Sequence, residues 1–328
     1  MSQILHGYTL CEPFQNHNAG FSRWTFATSR GQTYFLKEFM DPVYPTDSSL
    51  SPTLKQRREA DCKKFEEKKK RLYSAVNRAS DGNSIRICEF FRWDSHYYIS
   101  NQKVTGASVP IEQMQAMPLE DRVLLCRTIA HSVMRLHDEH VVHSDIKDTN
   151  VLLKWTRSGK LVGKLIDFDC SFLESDPPQS EDELGGDQVF LAPECCLFMC
   201  GEPVTITCKS DVFSLGLLFH QYLAGHLPYF DPEEYDYAHE AVLDDKELFV
   251  SFRLPDELRS ILAGMLEADP EKRISMRDVF TRLGDFCGYV PVVENTNTHT
   301  GERLNLGEYM NEQPTKRPGS HFYSAGEL

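Results

Sequence analysis

The stretch VVHSDIKDTNVLL, residues 141–153, decides how the chain is read. An apolar pair leads into a polar loop of eight residues, 143–150, which ends in an apolar strand. Asp145, Lys147 and Asn150 sit at fixed offsets inside that loop. Fourteen residues beyond Leu153, a second apolar run, KLIDFDCSF (164–172), delivers Asp167. Singly, Asp145 reads as a cap, Asn150 as an Asx turn, and His143 as a packed, hydrogen-bonded imidazole.

Together they read differently. Two carboxylates and an amide at strand ends form an all-oxygen donor set. Such a set suits Mg²⁺, a hard cation that keeps an octahedral shell and shares it with phosphate oxygens. Phosphoryl transfer asks little more of a protein than positioning and charge neutralisation.

On the N-terminal side, residues 7–40 alternate apolar and polar with turn signals, as in YTLCEPF, RWTFATS, Gly31-Gln32 and TYFLKEF, which predicts an antiparallel meander of three strands. Phe65, Leu72 and Val76 recur at helical spacing and predict a helix over 54–77. IRICEFFRW and HYYISNQKV read as two more strands. From about residue 105 the period turns helical, strongly in PLEDRVLLCRTIAHSVMRLHDEH and again near 209–224, 255–268 and 275–284. The expected fold class is therefore α+β and bilobal. A small antiparallel β-sheet lobe with one helix (1–104) precedes a larger, mainly helical lobe (105–287), and a polar tail follows (288–328).

Composition narrows the class further. At 41% apolar and 26% charged residues, the chain is ordinary globular protein. No apolar run approaches the roughly 18 residues a membrane helix needs, and the N-terminus lacks a secretory pattern, so no membrane partner and a cytoplasmic location are expected. The net charge of −14 argues against nucleic acid, which calls for a basic footprint. The mixed-charge stretch 55–71 reads as the solvated face of a helix. The ten cysteines are mostly scattered among apolar neighbours as reduced thiols, and crowded Cys195, Cys196, Cys200 and Cys208 lack paired Cys-x-x-Cys spacing for zinc.

Five motifs carry a resemblance. HSDIKDTN, DFD (167–169), LAPE (191–194), KSDVFSLG (209–216) and DPEKR (269–273) follow one another as they do in the eukaryotic-type protein kinase superfamily, over roughly residues 8–284. The resemblance implies a serine/threonine protein kinase that uses ATP and Mg²⁺ on a protein substrate. By it, Asp145 accepts the substrate hydroxyl proton, Lys147 neutralises the γ-phosphate, and Asn150 and Asp167 bind the metal and so the cofactor. Asp211 pins the catalytic loop, and Glu194 pairs with Arg273.

The N-terminal matches are looser. Lys37 in TYFLKEF takes the place of the lysine that binds the α- and β-phosphates. HNAGFSRW stands where the glycine-rich loop belongs, with Gly20 off register and Ser22 as a further donor. NQKV (101–104) falls at the hinge, so Asn101 would be the gatekeeper, and backbone groups of Gln102 and Val104 would meet adenine. Phe35 replaces a small residue and would narrow that pocket or stack on the base. Glu66 is the chosen helix partner of Lys37, with Glu67 the alternative and pairing with Lys70 or Arg71 the plainer reading of either.

The departures carry their own expectations. Ser144 replaces the arginine that pairs with a phosphorylated activation loop, and the segment from Asp167 to Glu194 has serines but neither threonine nor tyrosine, amid six or more carboxylates. Activity without activation-loop phosphorylation is therefore expected. Asp169 in place of glycine would restrict the backbone swing or add a metal ligand, and Asp187, where a threonine is usual, would pair with Lys147. The degenerate loop and the missing arginine are features shared with bacterial members. A small-molecule kinase of the aminoglycoside or choline type and a nucleotide-binding pseudokinase are the rival readings.

Overall fold

The computed structural model describes residues 3–16, 22–47, 49–80 and 84–288. Gly20 and the tail lie outside the described residues. The chain divides into two compact units, one built from residues up to Arg78 together with Ile85–Val104, the other from Ala79, Ser80, Ser84 and the residues from Thr105 on.

In the first unit, β1 (Ile4–Leu5), β2 (Tyr8–Leu10), β3 (Ser22–Ser29), β4 (Gln32–Phe39), β5 (Ile87–Trp93) and β6 (His96–Gln102) form one antiparallel sheet in the order β1-β2-β3-β4-β6-β5. The β3–β4 hairpin closes on Arg30 and Gly31, both at positive φ (49° and 76°), the two-residue turn whose twist suits flanking strands. Alternation sorts the side chains. Leu5, Tyr8, Ala27, Leu36, Phe91 and Tyr98 pack on one face. The opposite face carries Phe39, Phe90 and Tyr97, against which α1 (Pro52–Ala79) lays Phe65, with ring centroids 5.2–6.1 Å apart. The helix buries Cys62, Lys69, Leu72, Tyr73, Val76 and Ala79 at spacings of three and four, and its mixed-charge remainder faces water.

The second unit contains α2 (Ile111–Gln115), α3 (Leu119–Asp138), β7 (Val141–Val142), β8 (Val151–Trp155), β9 (Leu161–Leu165), β10 (Phe172–Leu173), α4 (Pro193–Met199), α5 (Lys209–Ala224), α6 (Ala238–Leu243), α7 (Asp256–Met265) and α8 (Met276–Phe286). Helices α3 and α5 form its centre, with ten and twelve buried residues, which explains why their apolar pattern is so legible. The β8–β9 hairpin lies against α3 so closely that a Cβ on Gly163 would sit 2.5 Å from the Ile129 side chain. Helices α2, α4 and α6 escape the sequence reading because five to seven residues give too little of a 3.6-residue period to register.

One buried ion pair closes this unit. Arg273, 1% exposed, grips Glu194 with both terminal nitrogens (2.7 and 3.1 Å) and spends its remaining donors on the carbonyls of Glu267, Ala268 and Lys209. Arg273→Met is expected to cost about 3–5 kcal/mol in urea unfolding, because it strands the Glu194 charge, and Glu194→Gln should recover part of that loss in the double variant.

His220 in α5 is fully buried. Its Nδ1 donates to the His226 carbonyl (2.6 Å) and its Nε2 accepts from the Ser251 amide (3.0 Å), which fixes a neutral ring. Burial pushes its pKa from 6.5 down to about 4, against the raising effect of the His226 bond. The unfolded chain therefore takes up this proton first. The stability His220 contributes is complete above pH 6.5 and is lost as pH falls toward 4, by up to about 3 kcal/mol. Urea midpoints across that window should fall less steeply for His220→Asn than for the parent chain.

Candidate active site

The loop 143–150 leaves β7, which pairs with β10 through Val142 and Phe172, and enters β8, which pairs with β9 through Val151 and Leu165. The Ile166 amide donates to the Asn150 carbonyl (3.0 Å) and extends the ladder by one rung. Asn150 and Asp167 consequently emerge at the same end of the hairpin.

Holding the loop requires backbone strain. Ser144 sits at φ 67°, in the left-handed region that non-glycine residues rarely adopt. Asp211, 1% exposed in the first turn of α5, compensates directly. Its carboxylate accepts the amides of His143 (2.8 Å) and Ser144 (2.9 Å) and the His137 ring N–H (3.1 Å). The buried His143 ring donates from Nε2 to the Ile166 carbonyl (3.1 Å) and accepts at Nδ1 from the Asp145 amide (3.4 Å). It packs on Phe168, ring to ring at 5.1 Å, and serves as structure.

The two Asp145 oxygens differ. Oδ2 accepts from Asn150 Nδ2 (2.8 Å) and from Lys147 Nζ (3.1 Å). Oδ1 is buried and has no hydrogen-bond partner among the described residues. Lys147 also faces Asp187 Oδ2 at 4.0 Å. Burial alone would lower the Lys147 pKa, but the charges of Asp145 and Asp187 outweigh it, and the ammonium is held above its ordinary value. Asp187 is fixed in turn by accepting the Val189 amide (3.0 Å).

The donor set at the hairpin end fits a hard divalent cation. Asn150 donates from Nδ2 to both the Asp145 carbonyl and Oδ2 (2.8 Å each), which commits its amide nitrogen and leaves its oxygen as the donor type a cation would use. Asp167 lies at φ 61° and accepts the Asp169 amide at Oδ1 (3.3 Å). The left-handed residue of this turn is thus Asp167, not Asp169, so the aspartate standing in for glycine incurs no left-handed strain.

Glu174 is a member of this assembly that the sequence reading passed over as one acidic residue among many. Its carboxylate accepts the Cys208 amide at the head of α5 (2.9 Å) and pairs with His140 (2.9 Å), while its own amide donates to the His140 carbonyl (2.9 Å). Burial raises its pKa, and these bonds more than reverse the effect, so the group titrates below its usual range. Its partner lies 34 residues away, so no local pattern signalled it.

In the first unit, Lys37 is 6% exposed in β4, cross-strand from Trp24 and Ile99, on the face that carries α1. Glu66 points inward more than Glu67, with 29% of its side chain exposed against 64%. Its oxygens accept from Tyr97 (2.9 Å) and Lys70 (3.0 Å), and these bonds outweigh burial to lower its pKa. Tyr97, a neighbour of the Lys37 face, is the partner that spacing along one helix could not reveal. Ser22 is buried at the start of β3, Asn101 donates to the Arg86 carbonyl (3.0 Å), Gln102 ends β6 exposed, and Val104 follows it half-buried. Phe35 stacks on Trp24 (5.5 Å) and meets Phe26 edge-on (6.0 Å), so its ring is packed within the sheet's own aromatic row.

Comparison with known proteins follows the same lines. The sequence pattern of the protein kinase domain matches residues 53–282. Serine/threonine-protein kinase ULK3 of Xenopus laevis is 27% identical over 217 residues, 64% of this chain and 44% of that protein. Serine/threonine-protein kinase ppk25 of Schizosaccharomyces pombe is 29% identical over 221 residues, 64% and 49% respectively. Calcium-dependent protein kinase 4 of Plasmodium falciparum is 26% identical over 200 residues, 60% and 37%. The chain spans less than half the length of these relatives. With the domain pattern covering most of its length and the Asp145–Lys147–Asn150 loop buttressed by Asp211, the chain belongs to the protein kinase family.

Proposed function

We propose that the chain is a serine/threonine protein kinase that transfers the γ-phosphoryl of Mg-ATP to a protein hydroxyl. The observation that carries the reading is Asp145. One of its oxygens is saturated by Lys147 and Asn150, and the other is buried and unpartnered. A buried acceptor left empty is costly, and it is what a base needs in order to receive a hydroxyl proton. Asp145 Oδ1 takes that proton, Asn150 keeps the carboxylate oriented, and Lys147 offers positive charge to the transferring group. Asn150 and Asp167 would hold Mg²⁺, which when bound neutralises phosphate charge. Lys37 is assigned to the α- and β-phosphates with Glu66 as its proposed helix partner, and Gly20, Ser22, Gln102 and Val104 to the rest of the nucleotide. The cytoplasm is the proposed compartment, on the strength of the sequence alone.

A protein substrate is favoured over a small molecule because LAPE, KSDVFSLG and DPEKR form one linked frame, joined through Arg273 to Glu194 and to the Lys209 carbonyl, and Asp211 ties that frame to the catalytic loop. A pseudokinase role is disfavoured by the retention of Asp145, Lys147, Asn150 and Asp167 in a single ordered hairpin.

With casein and radiolabelled ATP, Asp145→Asn should lower transfer by about 10²–10⁴-fold. The same variant should keep the rise in melting temperature given by Mg-ATP over ATP with chelator. Unchanged transfer would sink the assignment of the base.

Activation without phosphorylation is part of the proposal. Ser144 offers no cation to a phosphate, while Glu174 already ties the start of the segment to the Cys208 amide and His140 with a carboxylate. Exhaustive phosphatase treatment should leave at least most of the casein activity, and loss of most of it would refute this.

A further inference from the structure

Tyr229 and Phe249 form an isolated antiparallel bridge, exchanging both backbone hydrogen bonds (3.1 and 2.9 Å) between two loops of the second unit. Paired residues of a bridge share a face, and this face is turned to water. Tyr229 is 60% and Phe249 58% exposed, with ring centroids 6.3 Å apart. Three residues on, Phe252 is 83% exposed, the most exposed large apolar side chain among the described residues. The loops are not loosely attached. Pro228 and Leu248 beside the bridge are buried, and the amide of Ser251 is tied to the buried His220 ring.

Rigidly presented aromatic rings that the described residues leave uncovered mark an interaction site. The charge around them says what covers it. Asp231, Glu233, Glu234, Asp244, Asp245 and Glu247 are all exposed in the same segments, against only Lys246 and Arg253 as exposed cations. Asp231 follows Tyr229, and Glu247 precedes Phe249, by two residues each.

From this we infer that the patch is a docking site for a basic peptide segment of a protein partner, with an aromatic or aliphatic anchor seated on the Tyr229–Phe249–Phe252 rings and flanking lysines or arginines facing the carboxylates. The site lies outside the Asp145 loop and requires no nucleotide, so it stands or falls separately from the transfer reaction.

The test is fluorescence anisotropy on the full chain without nucleotide. The probe is a short fluorescein-labelled peptide with one phenylalanine and one leucine between two pairs of arginines. Saturable binding is expected. Phe252→Ser and Phe249→Ser should each weaken it roughly tenfold or more, with melting temperatures unchanged for so exposed a residue as Phe252. A peptide with serines in place of its apolar pair, or glutamates in place of its arginines, should bind at least as poorly, and Asp187→Asn in the chain should leave the affinity unaltered. Absence of binding, equal affinity for Phe252→Ser, or equal affinity for the serine-substituted peptide would overturn the inference. So would a dimer in sedimentation that Phe252→Ser converts to monomer, since a second copy would then be the occupant.

Discussion

The carboxylate of Asp211 is the constraint on which the catalytic loop depends. The loop must turn through a left-handed serine to bring Asp145 round, and the amides of His143 and Ser144 at that turn find their acceptor outside the loop. Asp211 reaches it from the first turn of α5 and accepts two consecutive amides together with the His137 ring. Acceptance of backbone N–H groups by a buried carboxylate is a charge-assisted bond, about twice as strong as a neutral one. A helix that is buried along most of its length is what makes the buttress rigid. The core of the unit and the geometry of Asp145 are therefore one structure rather than two.

The same device recurs wherever the segment needs an anchor. Asp187 accepts the Val189 amide, Asp167 accepts the Asp169 amide, and Glu174 accepts the Cys208 amide. In each case an acidic side chain holds backbone. This gives the chain's acidity a local meaning around the site: several of the carboxylates that make up the net charge of −14 are engaged in fixing turns. Lys147, between Asp145 and Asp187, is the cation that keeps two of these carboxylates from repelling one another.

Much of this was legible because it is written in short range. Asp145, Lys147 and Asn150 are separated by a few residues, and the hairpin register that brings Asp167 beside them follows from two apolar runs joined by a short turn. Helices α1, α3, α5, α7 and α8 were read to within a few residues because each buries a continuous stripe. What escaped was long range or too short to be periodic. The Tyr97 bond to Glu66 spans 31 residues and the Glu174 bond to Cys208 spans 34, and neither leaves a mark on local pattern. Phe35 shows the limit from the other side. The sequence names its bulk but not the rings of Trp24 and Phe26 that it packs against.

The departures from the family pattern bear on the number of states available to the segment rather than on the geometry of one. At Asp169 the backbone is not left-handed, and its amide donates to Asp167 as a glycine amide would, so the observed turn is equally open to either residue. What the Cβ removes is the alternative: a residue with a side chain has far less freedom than glycine to swing through positive φ. At Ser144 the loss of an arginine removes a contact that only a phosphate would complete, while Asp211 supports the loop regardless. At Glu174 a permanent carboxylate occupies an amide at the head of α5. Neither departure disturbs the turn it sits in, since Asp211 accepts the Ser144 amide and Asp167 accepts the Asp169 amide, and Glu174, tied to Cys208 and His140, adds a further anchor at the head of α5.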